Sequence, residues 1–308
     1  MTAWIEMKDD PDAIKCLDHG FVRLDGSFGD DQTIVRSARV SYGQNNANRM
    51  PEQDRHLIRY MLRHNHTSPF EQVEFRFHMK LPIFVARQLI RHRTASVNEY
   101  SGRYSEMPNE FYIPSPDVLA PQSKSNHQGR SGEMDKKNKE SAEWFINAAS
   151  ETNYDIYQTL LGNNRENPDA SYGPFDGDMF DDDFDGIAKE LARMVLPLNN
   201  YTEWYWKCDL KNLLHFLKLR EDSHAQWEIQ VFANAMHELI KNSCPIALEA
   251  YEDYISESIS LSRMEGDLVK FLAKKALVDV SLVEKEEWFE KAGLTGRELI
   301  EFKEKLDL

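Results

Sequence analysis

An α+β fold, an antiparallel sheet packed with helices plus a largely helical C-terminal half, is what this chain predicts. Three observations lead there. Residues 71–81 alternate at period two, with Val73, Phe75, Phe77, Met79 and Leu81 against Glu74, Arg76, His78 and Lys80, as a strand with one buried face does. Stretches of helical period surround that strand. The two kinds of element are mixed rather than alternating as regular βαβ units, which disfavours a doubly wound parallel sheet.

Taken in order, residues 51–64 form the first predicted helix, with Leu57, Ile58, Met61 and Leu62 on one side. A loop over 65–69 leads into the strand. Pro82 then opens a helix at its first turn, where a missing N–H costs nothing, and the helix runs to about Arg93. Residues 94–105 read as a loop, with Asn98 and Gly102 as turn residues. A longer helix is expected over 136–161. Between 162 and 186 the composition turns to Asn, Asp, Gly and Pro, a polar surface insertion. Residues 187–196 read as helical up to Pro197, 201–206 as a strand and 209–220 as a helix. Asp222 or Ser223 would cap the next helix, which ends near Lys241. Residues 245–256 and two stretches from Leu268 onward are helical as well, the last very charged. No internal repeat is visible.

Composition excludes several function classes. At about 150 residues per domain, 308 residues allow one or two domains. A hydrophobic fraction of 41%, with 16 Phe, 12 Tyr and 6 Trp, supplies a sizeable core. The net charge of −15 argues against sequence-independent binding of nucleic acid, which needs cations to neutralise phosphates. The longest apolar stretch, near 81–86, is interrupted by Pro82, whereas a membrane span needs roughly 20 apolar residues. Residues 1–10 lack a basic region followed by an apolar run, so no signal peptide is expected. Cys16, Cys208 and Cys244 are too scattered for a disulfide framework or a thiolate zinc site, and a reducing cytoplasm is the expectation.

Chemistry concentrates between Arg87 and Arg103, where four arginines accompany one glutamate in an otherwise acidic chain. Clustered guanidinium groups repel unless an anion sits among them, and arginine suits bidentate recognition of phosphate. The alternative is a solvated helix end whose cations complement the helix dipole. That reading leaves the polar loop Asn98-Glu99-Tyr100-Ser101-Gly102-Arg103 unexplained, a loop able to hydrogen-bond a base or sugar. Ser101 lacks the Gly-x-Ser-x-Gly elbow of a nucleophilic serine. His64-Asn-His66 has no carboxylate–histidine cluster beside it to complete a metal site, so no metal is expected. Asp181-x-Asp183-x-Asp185-Gly186 starts like a calcium loop, but its twelfth position is Ala192 instead of glutamate. Its aspartates solvate a surface loop. No GxGxxG follows a strand, so a Rossmann site for a dinucleotide is not supported.

Arg91-His92-Arg93, seven intervening residues and Ser101 together resemble the signature of flavin-dependent thymidylate synthases. His66-Thr-Ser-Pro-Phe-Glu71, Pro82-Ile-Phe-Val-Ala-Arg-Gln88, Val195-Leu-Pro-Leu-Asn199, and Leu219-Arg220 with Asp222-Ser-His-Ala-Gln-Trp-Glu228 resemble the family's other blocks, in the same order. The resemblance spans 13–116 and 187–251. It implies reductive methylation of dUMP to dTMP, with methylenetetrahydrofolate as carbon donor and NADPH as reductant through bound FAD. It also implies no protein nucleophile on the base, and a homotetramer with shared active sites. By the same resemblance Arg91, His92 and Arg93 contact the flavin, with Ser68 and Glu71 nearby and His66 beside it. Gln88, Glu99, Tyr100, Ser101, Gly102, Arg103 and Arg193 would hold dUMP, with Arg91 shared. Arg220 would lie against the pyrimidine and stabilise its negative charge. Leu213, Phe216 and Leu217 precede Arg220 by seven, four and three residues, so it emerges on the helix's apolar face. The competing reading is a terminal cation snorkelling to water.

Asp209, Lys211 and His215 fall in the second cofactor-binding block, where the family often has asparagine, then arginine, then asparagine or histidine. Lys211 keeps the charge but loses the guanidinium fork. These departures motivate a second reading, a nucleotide-binding protein that has lost flavin. A third is a nucleic-acid interaction protein that uses the Arg87–Arg103 patch. The expected domains are a catalytic domain over 1–255, carrying the polar insertion, and a charged helical extension over 256–308.

Overall fold

Strands β1 (Ala13–Cys16), β2 (Gly20–Phe28), β3 (Glu74–Pro82), β4 (Ser96–Glu99) and β5 (Tyr201–Asp209) form one sheet in the order β1-β2-β3-β5-β4. Every neighbouring pair is antiparallel. This computed structural model describes residues 13–41, 43, 51–124, 129–163, 184–277, 288, 291, 292, 294 and 296–306. The α+β class is as the sequence predicts.

The period-two stretch is β3, but it starts at Glu74, because Phe70–Gln72 tightens into a 3-10 turn. Phe75, Phe77, Met79 and Leu81 are all fully buried. They register against Cys208, Trp206, Trp204 and Thr202 of β5. The polar face is not fully solvated as period two suggests: His78 and Lys80 are buried too. His78 stacks on Tyr205 at 4.6 Å, meets the edge of Phe21 and hydrogen-bonds with Glu203. Lys80 pairs with Glu110. Burying such polar groups is tolerable because each has a partner.

Two strands and a helix lie before residue 51, where no element was predicted. The helix α1 (Asp31–Val40) opens with a capping box between Asp30 and Thr33. Helix α2 (Pro51–Arg63) is as expected. Helix α3 (Ile83–Leu89) stops four residues before Arg93, and Pro82 is its cap instead of its first residue. Beyond it Arg91 and His92 donate to the Gln88 and Leu89 carbonyls, the tighter three-residue bonds that close helix ends. The predicted loop over 94–105 contains β4, whose four residues are ordered by pairing along β5, Val97 opposite Trp206.

Helix α4 (Lys136–Leu160) follows the sequence reading. The inserted segment's ends meet: Ile187 N–H donates to the Leu160 carbonyl at 2.7 Å, and Gly186, at φ +87, lies so close to Leu161 that a Cβ would clash. Residues 164–183, and with them most of the aspartate run, lie outside the described residues. The helix expected over 187–196 is shorter, α5 (Lys189–Ala192) followed by a 3-10 turn over Arg193–Val195. Strand β5 runs three residues past the predicted end, to Asp209, which caps α6 (Leu210–Arg220). Helix α7 (Trp227–Ile240) is preceded by Gln226, and neither Asp222 nor Ser223 caps it. Asp222 instead accepts from the His224 N–H at 2.8 Å, closing a separate turn. Helix α8 (Pro245–Tyr251) continues into a π turn over Glu252–Ser256.

One face of the sheet packs the main core, which joins β3 and β5 to Val85 and Leu89 of α3, Leu213, Phe216 and Leu217 of α6, and Phe232 and Met236 of α7. A smaller cluster gathers Met107, Tyr157 and Ala192 around Ile83, Tyr100 and Val195. The chain divides into two compact units, Met1–Ser256 and Glu257–Leu308. In the second, α9 (Arg263–Leu277) and α10 (Gly296–Leu306) bury no side chain among the described residues.

Candidate functional site

The end of α3 meets the junction between α6 and α7 at two points. At the first, Arg220 Nε–H donates to His92 Nε2 at 3.1 Å. Leu213, Phe216 and Leu217 are fully buried and fix the position of α6, so its apolar face carries Arg220 inward, as the spacing predicts. The His92 ring stands edge-on to Phe216 at 4.9 Å. Burial, then the nearby Arg220 and His215, push the His92 pKa down to about 4, so the imidazole is neutral at physiological pH. Since Nε2 accepts, the ring proton sits on Nδ1. Burial also pulls the Arg220 pKa below its ordinary value, yet a guanidinium stays charged at neutral pH. Its terminal amino groups have no hydrogen-bond partner among the described residues.

At the second point, Gln88 Nε2 donates to Gln226 Oε1, and Gln226 Nε2 donates to Glu228 Oε2 at 2.9 Å. Glu228 is only 2% exposed. Its other oxygen accepts from Tyr112 OH at 3.2 Å and from Arg130 at 3.0 Å. Arg87, Arg91 and Arg93 are exposed around this corner. None of the three forms an ion pair among the described residues, so their donors are open to an anion.

The second group of predicted residues is the loop after β4. Glu99 accepts from the Thr202 hydroxyl at 2.9 Å, and Tyr100 OH donates to the Glu106 carbonyl at 2.6 Å. The Ser101 carbonyl accepts from the Tyr104 and Ser105 N–H groups, closing a turn, and its hydroxyl accepts from Arg103 N–H at 3.3 Å. Gly102 is buried, and a Cβ there would come within 2.9 Å of Met107 Sδ and 3.1 Å of Arg193 Cδ. That close approach brings Arg193, from the 3-10 turn after α5, onto the loop, and a larger residue would have to displace the Met107 or Arg193 side chain. Arg103 pairs with Glu190 at 3.4 Å in an exposed position. Arg193 donates to the Glu190 backbone at 3.4 Å. Glu190 thus lies beside both guanidinium groups.

The remaining predicted residues are dispersed. His66 is exposed in the turn after α2, edge-on to Tyr60 at 6.0 Å and 6.3 Å from His64. No group of three or more His, Cys, Asp or Glu placed to hold a metal occurs among the described residues. Ser68 and Glu71 are exposed around the 3-10 turn. Asp209 accepts from Asn212 N–H at 2.9 Å and its amide at 2.6 Å, and Lys211 donates to Asn212 at 3.3 Å. Those two residues stand at the start of α6, about 16 Å and about 14 Å along the helix from Arg220. His215 sits between, its ring 6.2 Å from His92.

Cys16, Cys208 and Cys244 are buried, and burial raises all three thiol pKa values, that of Cys16 to about 12. None is a thiolate at neutral pH. Sequence reasoning gave no role to Gln226, Glu228, Tyr112 or Arg130. Gln226 and Glu228 fell in a block that resembles the family, but Gln-x-Glu at the start of a helix reads equally well as a charge complementing the dipole.

The family model described as thymidylate synthase complementing protein matches residues 24–246. A flavin-dependent thymidylate synthase from Rickettsia bellii (strain RML369-C) is 49% identical over 281 residues, 90% of this chain and 91% of that protein. One from Ruegeria pomeroyi (strain ATCC 700808 / DSM 15171 / DSS-3) is 44% identical over 289 residues, 94% of this chain and 86% of that protein. Among solved structures, a UMP/dUMP methylase, PolB from Streptomyces cacaoi bound with 5-Br UMP, is similar with 31% identity and a TM-score of 0.64. That match covers 79% of this chain and 98% of that chain. The same methylase bound with 5-Br dUMP gives 30% identity and a TM-score of 0.65, over 79% of this chain and 99% of that chain.

Proposed function

This chain belongs to the flavin-dependent thymidylate synthase family, and from that premise we propose that it methylates dUMP to dTMP. Methylenetetrahydrofolate is the carbon donor and NADPH the reductant, acting through bound FAD. The observation that carries the reading is Arg220: a half-buried guanidinium, held by a neutral imidazole, with its amino groups hydrogen-bonded to none of the described residues. A cation in that state stabilises negative charge developing on a pyrimidine, and the surrounding burial strengthens the effect. A protonated His92 would repel it. The neutral ring orients Arg220 without competing.

The nucleotide's phosphate falls to Arg103 and Arg193, with Ser101 and the Gly102 backbone beside them. Glu99, which keeps one oxygen free of Thr202, and Gln88 meet the sugar and base. Tyr100, its hydroxyl bound to the Glu106 carbonyl, holds the loop in place. Arg91 and Arg93 fit a flavin dinucleotide, since exposed guanidinium groups without ion pairs match a diphosphate. His66, Ser68, Glu71, Lys211 and His215 complete that cofactor set. When bound, the flavin supplies hydride transfer, chemistry that no side chain here offers. Three buried thiols with raised pKa values support methylation without a protein nucleophile. A homotetramer with shared sites and a cytoplasmic setting belong to the same reading.

The test is the visible spectrum of the protein with excess FAD and anaerobic NADPH, with and without dUMP, followed by chromatography for dTMP once methylenetetrahydrofolate is added. A bound-flavin band that NADPH bleaches, and dTMP formed, are expected. Arg220→Ala should keep the flavin band and lose about 100-fold or more in dTMP formation. Retained dUMP binding with no flavin under any condition would overturn the reading.

A further inference from the structure

The buried carboxylate of Glu228 touches none of the residues assigned to chemistry, yet it governs one of them. Its two oxygens are filled from three sides, by Tyr112, Arg130 and Gln226. An ionised carboxylate paired with a guanidinium has no proton to give, so it only accepts. Gln226 must therefore turn its amide nitrogen toward Glu228, at 2.9 Å. That leaves the Gln226 carbonyl oxygen facing Gln88, which is forced to donate through its own amide nitrogen. The Gln88 carbonyl oxygen is then the edge left over. Neither glutamine is free to flip, because a flip would set two donors or two acceptors against each other.

We infer that Glu228, acting through Gln226, is a positioning residue that holds the Gln88 amide with its carbonyl oxygen outward, toward an N–H or O–H donor of the bound nucleotide. The place fits that role: Gln88 precedes His92 by four residues and Gln226 follows Arg220 by six, so both contacts join the same two chain segments. With the terminal amino groups of Arg220 as donors, an acceptor from Gln88 gives the corner groups of both polarities. The inference rests on the reading of this corner as the dUMP site. A site built to hydrogen-bond a donor rejects ligands lacking it, because its own polar group would be left unpaired.

The test uses the full-length holoenzyme and measures dUMP affinity by calorimetry alongside KM and kcat. Gln226 is exposed, so Gln226→Leu breaks the relay without opening the core. It should raise the dUMP Kd and KM about 10-fold, equivalent to about 1.4 kcal/mol, with kcat changed less than KM. Glu228→Gln should do the same, since the new amide keeps its oxygen for Tyr112 and Arg130 and turns its nitrogen to Gln226, which reverses the relay. The exchange Glu228→Gln with Gln226→Glu restores the polarity: the new carboxylate at 226 accepts from Gln88, and the new amide at 228 donates to it. Affinity should return to within about 3-fold of the native value. A merely structural role would not be rescued by that exchange. If native protein binds dUMP and Gln226→Leu leaves Kd and KM unchanged, the relay is wrong and the site assignment survives. Failure of the exchange to restore affinity, with an unchanged unfolding midpoint, also overturns the relay. Native protein that binds no dUMP defeats the site assignment and the relay together.

Discussion

His92 shows what a single residue contributes that sequence cannot display. The Arg-His-Arg run marked an anion site, and the spacing of Leu213, Phe216 and Leu217 placed Arg220 on an apolar face, so both partners were legible. Their contact was not, because it joins residues 128 apart in the chain. Nor was the ring's neutrality, which follows from burial and then from Arg220 and His215 beside it. That neutrality has a sign for stability. Folding lowers the His92 pKa from 6.5 to about 4, so between those values the unfolded chain takes up the proton that the folded one resists. Stability is therefore lost as pH falls through that window, by at most about 1.4 kcal/mol per pH unit from this one group. His92→Gln keeps an acceptor for Arg220 and cannot titrate. Urea unfolding at pH 7.5 and 4.5 should show the variant gaining on the native protein at the lower pH. An equal gap at both pH values would mean that His92 titrates normally.

At the scale of elements, the long periodic segments were readable and the short ones were not. Period two found β3 because its buried positions are nearly all large and apolar. It missed β4, a polar four-residue strand that exists through its ladder with β5, and it read His78 and Lys80 as solvated. Those positions are covered by groups distant in sequence, Tyr205 and Phe21 for one and Glu110 for the other. The departure at Asp209 becomes understandable at this scale as well. It caps α6 through the Asn212 backbone, and asparagine and aspartate cap helices about equally well. Asp209→Asn should therefore leave the thermal midpoint in place. Asp209→Ala should cost about 1 kcal/mol, a fall of roughly 2–4 °C for a unit of this size. Differential scanning calorimetry separates the two, and equal losses would show that the side chain does more than cap.

For the whole molecule, the decisive feature is where burial stops. Among the described residues both hydrophobic clusters draw on positions up to Ile255, and every predicted site residue lies within the first unit, Met1–Ser256. The second unit, Glu257–Leu308, has helices α9 and α10 with no buried side chain among its described residues. The sequence reading sets a charged helical extension at 256–308 because the family resemblance ends before it. Those helices still expose Leu268, Phe271 and Leu272, at 57%, 61% and 52%, so their sequence is amphipathic without a core of its own. A chain ending at Ser256 should therefore keep its sheet, its thermal midpoint within about 2 °C, a shift of no more than about 1 kcal/mol, and its dTMP formation. The outcome that contradicts this is a truncated protein that loses its midpoint or its turnover. Loss of turnover with an unchanged midpoint would give the second unit a part in the reaction, and loss of both would make it part of the fold.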